Sequence, residues 1–293
     1  GSNVYYYSGN TTNNWVKFGG FYWRIIRTNE DGSVRMLYAG TSHDTTSGYI
    51  GETVYNNLFN DPMYVGYMYG TTGNLTNNRT NTNDSTIKTA IDTWYENNLL
   101  TNYDKYISKT AVYCNDRSVG ERETYKTFGN FYYGPGTRFY THKVPSYKCG
   151  ANTSNGILEN VQSVEDKFSA STTSGGNGLL KFPIALMTAD EIVFAGGTLS
   201  TSLSRPYAWY YSNSVGGSIT GNNYWWLLSP FKWNDNSSHV SNVDISMTGS
   251  LLFKGVKISA WVRPVISISQ CAKVKSGIGT PSSPYEINEN SCS

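Results

Sequence analysis

The stretch at residues 222–268 organises the predicted fold and reads NNYWWLLSPFKWNDNSSHVSNVDISMTGSLLFKGVKISAWVRPVISI. It begins and ends with aromatic and apolar blocks that are typical of β-strands, and Pro230 ends the first block. The residues between them are mostly Asn, Ser, Asp and Trp. We therefore predict two rigid strand blocks that hold a polar and aromatic display segment as loops.

Three motifs in this stretch resemble a family of bacterial, mostly Firmicutes, surface domains. They are W-x-L-x-S-P at 225–230, the x-G-x-L turn at 248–251 and V-R-P-x-I at 262–266. Earlier segments match the family in the expected order: FYWRIIRTNEDGSVRMLYAG at 21–40, NDSTIKTAIDTWYENNLL at 83–100, YCNDRSV at 113–119 and PIALMTADEIVFAGG at 183–197. The matched motifs cover more than half of the chain.

The family is similar to the C-type-lectin-like and formylglycine-generating-enzyme-like fold. The resemblance implies an α+β domain, with antiparallel β hairpins, two helices and long irregular loops. Residues 1–2 are interpreted as a cloning scar, and residues 3–270 as a single C-type-lectin-like domain with loop insertions. Residues 271–293 are predicted to form a strand-like tag stapled by a disulfide.

Local patterns predict several of these elements. Strands are expected at 15–18, 21–27 and 33–38, with a turn at Gly32. A helix is expected after Asp84 or Ser85, since apolar residues then recur at helical spacing. One of these is Trp94, which we assign to the core rather than to a ligand.

A second helix is predicted near residue 188. Thr188 and Glu191 form a capping-box pattern, and Gly196 follows as a stop signal. The preceding residues 183–187 are predicted to form a buried strand.

Composition favours an exported protein. Only 15% of the 293 residues are charged, whereas 15% are aromatic, and the net charge is +2. Without a Lys/Arg cluster no nucleic-acid partner is expected. No apolar run of membrane-spanning length occurs, so membrane attachment would require a missing N-terminal segment. We predict an extracellular, cell-surface location.

The four cysteines predict two disulfides. Their number is even and no C-x-x-C pair occurs, which argues against zinc. We pair neighbours, Cys114 with Cys149 and Cys271 with Cys292. Each disulfide is expected to raise the free energy of unfolding by about 3 kcal/mol. Free buried thiols in a cytosolic protein are the alternative.

Catalysis is not predicted. The sequence lacks a G-x-S-x-G elbow, a P-loop and H-E-x-x-H. The last two cysteines flank the terminal tag, so the formylglycine-generating activity of the relatives is not carried over. Carboxylate pairs such as Asp235 with Asp244 leave a glycosidase open as the enzymatic alternative. No cofactor or metal is predicted, although Ca²⁺ bound by this pair is a minor option.

We predict a cell-surface ligand-binding or adhesion domain. The ligand is a protein or glycan on a host, microbial or phage surface, and Trp233 is the expected exposed anchor. The predicted single exposed patch consists of Tyr224, Phe231, Trp233, Asn234, Asn236, His239, Asn242 and Asp244. The resemblance also implies the head of a pilus-like fibre, and the composition is similar to variable proteins of diversity-generating retroelements. A pilin-like filament of identical subunits without a dedicated ligand stays open.

Three further polar or aromatic features have two interpretations each. Asp116 is expected to form a structural ion pair with Arg117 rather than to ligate a cation. The aromatic-rich residues 120–145 anchor loops or form a sugar- or peptide-binding face. Arg263 is predicted to be a structural fork to a carboxylate or to loop carbonyls.

Overall fold

The computed structural model describes residues 3–71, 75–150, 165–172, 176–244 and 248–292. The predicted cloning scar at residues 1–2 lies outside this part. The chain is a mixed α+β protein, dominated by sheets and with few, short helices. None of its described helices has the length and apolar character needed to cross a membrane.

The strands in the described part have two to ten residues, and the longest, β12, forms a hairpin with β13. They are β1 (Trp15–Phe18), β2 (Phe21–Thr28), β3 (Val34–Tyr38), β4 (Gly51–Val54), β5 (Met68–Tyr69), β6 (Asn83–Asp84), β7 (Tyr113–Asp116), β8 (Asn130–Tyr132), β9 (Glu165–Ser169), β10 (Gly178–Leu179), β11 (Ala185–Leu186), β12 (Trp225–Asn234), β13 (Ser237–Asp244), β14 (Ser250–Gly255), β15 (Ser259–Val262), β16 (Pro264–Ile268), β17 (Val274–Ser276) and β18 (Tyr285–Ile287).

The α-helices in the described part are α1 (Leu75–Asn78), α2 (Thr86–Asn98), α3 (Leu100–Tyr103), α4 (Gly134–Thr137) and α5 (Ala189–Phe194). The two predicted helices are α2 and α5. Ser85 caps α2 by accepting a hydrogen bond from the Lys88 amide, and the predicted capping box opens α5. Trp94 is half-buried and packs against the core, as predicted.

The largest sheet joins both ends of the chain. Its strand order is β11-β16-β3-β2-β1-β18-β17, and β2 and β3 form the predicted hairpin. The terminal segment 271–293 contributes β17 and β18, and β18 pairs with β1 in parallel. The C-terminal strands therefore extend the same sheet that the N-terminal hairpin begins.

The second sheet contains the first four strands of residues 222–268, whose last strand, β16, belongs to the largest sheet. Its order is β14-β13-β12-β15-β4, and β8 also pairs with β12. The prediction that Pro230 ends the first strand and that loops follow is wrong, because β12 continues to Asn234 and β13 returns from Ser237. Pro230 is tolerated because the pairing register shifts on both sides of it, where a missing N–H costs little.

Both predicted disulfides are present, Cys114–Cys149 and Cys271–Cys292. The first ties β7 to the end of the aromatic-rich segment, and the second ties the terminal residues to the chain just beyond β16.

Arg263 is a structural fork to carbonyls, as predicted. Its side chain is fully buried, and Nε and Nη1 donate to the carbonyls of Tyr38 and Tyr210 at 3.0 and 2.5 Å. Its guanidinium carbon also lies 4.6 Å from the centroid of the Trp225 ring. Arg263 therefore joins the two large sheets.

Candidate ligand-binding face

The hairpin of β12 and β13 has an inner face that belongs to the core. Trp233 pairs with Phe131 of β8 on one side and with Ser238 of β13 on the other. Trp233 and Phe131 are each 1% exposed. The prediction that Trp233 is an exposed anchor is therefore wrong, because its side chain lies on the hairpin face that packs into the hydrophobic core.

The other residues of the predicted patch do not form one exposed surface. Phe231, Asn242 and Asp244 are buried, His239 and Tyr224 are half-buried, and Asn234 and Asn236 are exposed at the hairpin turn. The prediction of a single exposed patch is wrong, because these residues lie on a continuous hairpin whose side chains alternate between two faces.

The minor option of Ca²⁺ bound by Asp235 and Asp244 is also wrong. Asp235 lies in the hairpin turn and Asp244 ends β13, roughly 23 Å away at about 3.3 Å per strand residue. Among the described residues no group of three or more His, Cys, Asp or Glu side chains is placed to hold a metal ion.

The outer face of the hairpin carries a continuous row of rings. The side chains of Tyr132, Lys232 and His239 lie side by side, since these residues are paired across β8, β12 and β13. Phe231 follows a register shift and stacks on Phe253 of β14, with ring centroids 4.2 Å apart and planes 15° apart. The sheet thus presents aromatic residues to its outer side as well as to the core.

Ring contacts connect these residues into one surface, which we call the aromatic platform: Tyr132, Tyr140, Phe231, Lys232, His239 and Phe253. Tyr140 stacks on Tyr132 with centroids 5.5 Å apart. The Tyr132 ring meets Phe231 edge-on at 5.9 Å, and His239 meets Phe253 edge-on at 5.9 Å. Lys232 Nζ lies 4.6 Å from the Phe253 centroid.

The platform is open to solvent on one side. Tyr140 is 63% exposed, and Tyr132, Phe253 and His239 are half-buried. Burial and nearby Lys232 lower the pKa of His239 below its ordinary value, despite a hydrogen bond to the Ser237 carbonyl. The imidazole is therefore neutral at pH 7, and it offers a hydrogen-bonding nitrogen beside the rings.

The hairpin turn forms a polar rim next to the platform. Asp235 adopts φ 44° and its carboxylate accepts a hydrogen bond from the Gly129 amide at 2.7 Å. This contact holds the turn beside the segment that carries Phe128, which is 87% exposed. Exposed Asn234 and Asn236 add amide groups to the same rim.

Sequence reasoning missed Phe253, Tyr132, Tyr140 and Phe128 as candidate residues. For Tyr132, Tyr140 and Phe128 the signal was the aromatic density of residues 120–145, which left two interpretations open. Phe253 lies outside that segment, on β14. The segment has both kinds of residue: Phe131, Tyr133 and Phe139 are buried anchors, whereas Phe128 and Tyr140 are exposed.

A cleft of about 640 Å³ beside α5 is a second candidate binding site. Several of the residues that line it form ion pairs with one another. Glu191 accepts from Arg27 and Arg35 at 2.9 and 2.8 Å. Burial alone would raise the pKa of Glu191, but the two arginines lower it. The buried carboxylate is thus already balanced by two cations.

A second ion-pair group lines the same cleft. Arg138 bridges Asp116 and Asp190, at 2.9 Å from each. Arg117 instead pairs with Asp166. The prediction that Asp116 pairs with Arg117 is therefore wrong, because each residue forms a buried ion pair with a partner distant in sequence. Since each of these carboxylates meets an arginine, the described ion pairs account for the cleft as a structural feature.

Comparisons with protein-family descriptions, curated proteins and solved structures found no match to this chain.

Proposed function

We propose that this protein is a non-catalytic glycan-binding domain of an exported bacterial surface protein, with the aromatic platform as its binding face. The domain is proposed to have the C-type-lectin-like fold and to act as the adhesive head of a pilus-like or anchored protein. The alternative ligand is a protein, and binding to a glycan array distinguishes the two classes of ligand.

The stacked, half-exposed rings of the platform carry this proposal. Aromatic side chains offer a large rigid area at low conformational-entropy cost. The C–H face of a pyranose ring packs on such rings, while its hydroxyls require hydrogen-bonding groups at the edge. Tyr140, Tyr132 and Phe253 supply the rings, and the amides of Asn234 and Asn236 lie at the rim.

Two features support export. Disulfides persist in oxidising compartments and are rare in the cytosol, and all four cysteines are paired. The abundance of Tyr, Asn, Ser and Thr over charged residues is also suited to a surface that binds through hydroxyls and amides.

Binding to a glycan array and to bacterial cells tests the proposal. The double variant Phe128→Ala/Tyr140→Ala removes two exposed rings, while Ile278→Ala removes a side chain that is 66% exposed elsewhere. We expect the wild type and Ile278→Ala to bind the same set of glycans, and the double variant to lose them. Equal binding by the folded double variant contradicts the proposed face. Capture of proteins without any glycan overturns the glycan assignment.

A further inference from the structure

A second cavity, which shares no residue with the aromatic platform, lies between the N-terminal segment and residues 205–216. Its volume is about 500 Å³, within the range of small-molecule sites. We call it the arginine pocket, because it is lined by Arg24, Arg205, Tyr207, Thr12 and Trp15 among others.

Arg24 forms the buried part of this pocket. It is 2% exposed, and its guanidinium carbon lies 4.1 Å from the centroid of Trp15. Nε donates to Asn14 Oδ1, Nη1 to the carbonyls of Trp209 and Ser212, and Nη2 to the carbonyl of Thr11. These bonds use four of the five N–H groups of a guanidinium, so one N–H of Nη2 has no partner in the described part of the chain.

The charge of Arg24 is not balanced by an acid. All of its hydrogen-bond partners are neutral oxygens, and none of the described residues that line the pocket is Asp or Glu. The backbone carbonyl of Asp44 accepts from Asn213, and the Asp44 carboxylate accepts from Ser42. Burial and Arg263 lower the pKa of Arg24 well below its ordinary value, as expected for a buried cation without a counter-ion.

Arg205 adds a second cation at the mouth. It is exposed, and its Nε donates to Tyr207 Oη at 3.3 Å. No hydrogen bond within the described residues uses its two Nη groups, which leaves a fork of the kind that holds a carboxylate in two bonds. The mouth also has the half-exposed Tyr207 ring and the exposed Thr12.

We propose that the arginine pocket binds an acidic sugar through its carboxylate. The carboxylate lies between the Arg205 fork and the unused N–H of Arg24, and the sugar ring lies against Tyr207. A sugar is favoured over a peptide terminus because hydroxyl and amide side chains such as Thr12, Ser214 and Asn10 line the opening. The site is independent of the proposed platform.

Titration with methyl glucuronide and methyl glucoside tests this proposal, since the two probes differ only in the carboxylate. Isothermal titration and ligand-observed NMR are expected to detect the glucuronide and not the glucoside. Arg205→Gln is expected to weaken glucuronide binding by about tenfold or more, because a charge-assisted bond is lost. Arg122→Gln, an exposed arginine outside the pocket, is expected to leave it unchanged.

Further variants distinguish loss of binding at the arginine pocket from misfolding and from loss of binding at the aromatic platform. Arg24→Lys keeps the charge but loses the fork, and its melting temperature is measured alongside binding. If Arg24→Lys does not fold, Arg205→Gln and Tyr207→Ala on the mouth decide the question. Tyr140→Ala is expected to bind glucuronide normally, so failure of the platform does not mimic failure of this pocket.

Three results overturn the proposal. They are equal binding of both probes, glucuronide binding that Arg205→Gln and Tyr207→Ala leave intact, and preference for an acetylated peptide with a free carboxylate over the glucuronide. The last result assigns the pocket to peptide termini instead.

Discussion

The two faces of the β12–β13 hairpin have similar aromatic content but opposite environments. On the inner face, Trp233 and Phe131 are buried in the core, and each is 1% exposed. On the outer face, Tyr132 and Phe253 stack with neighbours yet stay half-exposed, and Tyr140 is largely exposed. Residue type alone therefore does not assign a ring to stability or to binding. The packing against each face makes the assignment.

The largest effect on stability is expected from Trp233→Ala. Removing a buried indole leaves a cavity, and we expect the free energy of unfolding to fall by about 3–5 kcal/mol. Urea denaturation measures the change, and Trp233→Phe serves as a control that retains much of the buried area. A loss below about 1 kcal/mol would show that the indole is not part of the core.

An intermediate effect is expected from Phe253→Ala. Its ring covers Phe231 but is itself half-exposed, so we expect a loss of about 1–2 kcal/mol in the free energy of unfolding. Glycan binding should weaken as well, because the ring is central to the platform. Phe253→Leu is the matched control, since it keeps apolar cover over Phe231 without a flat ring. If it binds like the wild type, ring stacking is not required.

A smaller, pH-dependent effect is expected from His239. Its folded-state pKa is lowered below the ordinary value of about 6.5, first by burial. The unfolded chain therefore takes up the proton at a higher pH than the folded chain. The contribution to stability is fully present above about pH 6.5, and it is lost as the pH falls through the folded-state pKa.

Unfolding curves of the wild type and His239→Gln between about pH 5 and 8 measure this contribution. We expect the stability difference between the two proteins to change below about pH 6.5 and to be constant above it. NMR titration of the imidazole gives the folded-state pKa directly. A value at or above that of an exposed histidine would contradict the buried environment.

The smallest effect on stability is expected from Tyr140→Ala. Tyr140 is 63% exposed, and surface substitutions usually change stability by less than about 0.5 kcal/mol. Its stacking on Tyr132 is expected to matter for binding instead. A large drop in melting temperature would place Tyr140 among the structural rings of the inner face.

Sequence patterns predicted the local elements of this fold well. The β2–β3 hairpin, the caps of α2 and α5 and both disulfides depend on short-range signals or on cysteine count, and all are confirmed. Arg263 was also predictable, since a guanidinium between apolar strand residues needs oxygen partners.

The display segment was mispredicted because its partners are distant in sequence. Asn- and Ser-rich composition indicates loops, yet Ser238 is buried and donates to the Asp61 carbonyl. The fate of Trp233 depends on pairing with β8, about a hundred residues earlier. No local pattern shows which face of the hairpin packs against the core, so Trp233 was predicted to be exposed.

The most direct test of the two-face account is a crossed comparison of Tyr140→Ala and Trp233→Phe, each titrated with a glycan that the wild type binds. We expect Tyr140→Ala to weaken binding about tenfold or more, as loss of a stacking contact does at aromatic interfaces, with an unchanged melting temperature. We expect Trp233→Phe to lower the melting temperature and to leave the Kd unchanged. Loss of binding by Trp233→Phe alone, with normal binding by Tyr140→Ala, would contradict the assignment of the outer face to the ligand.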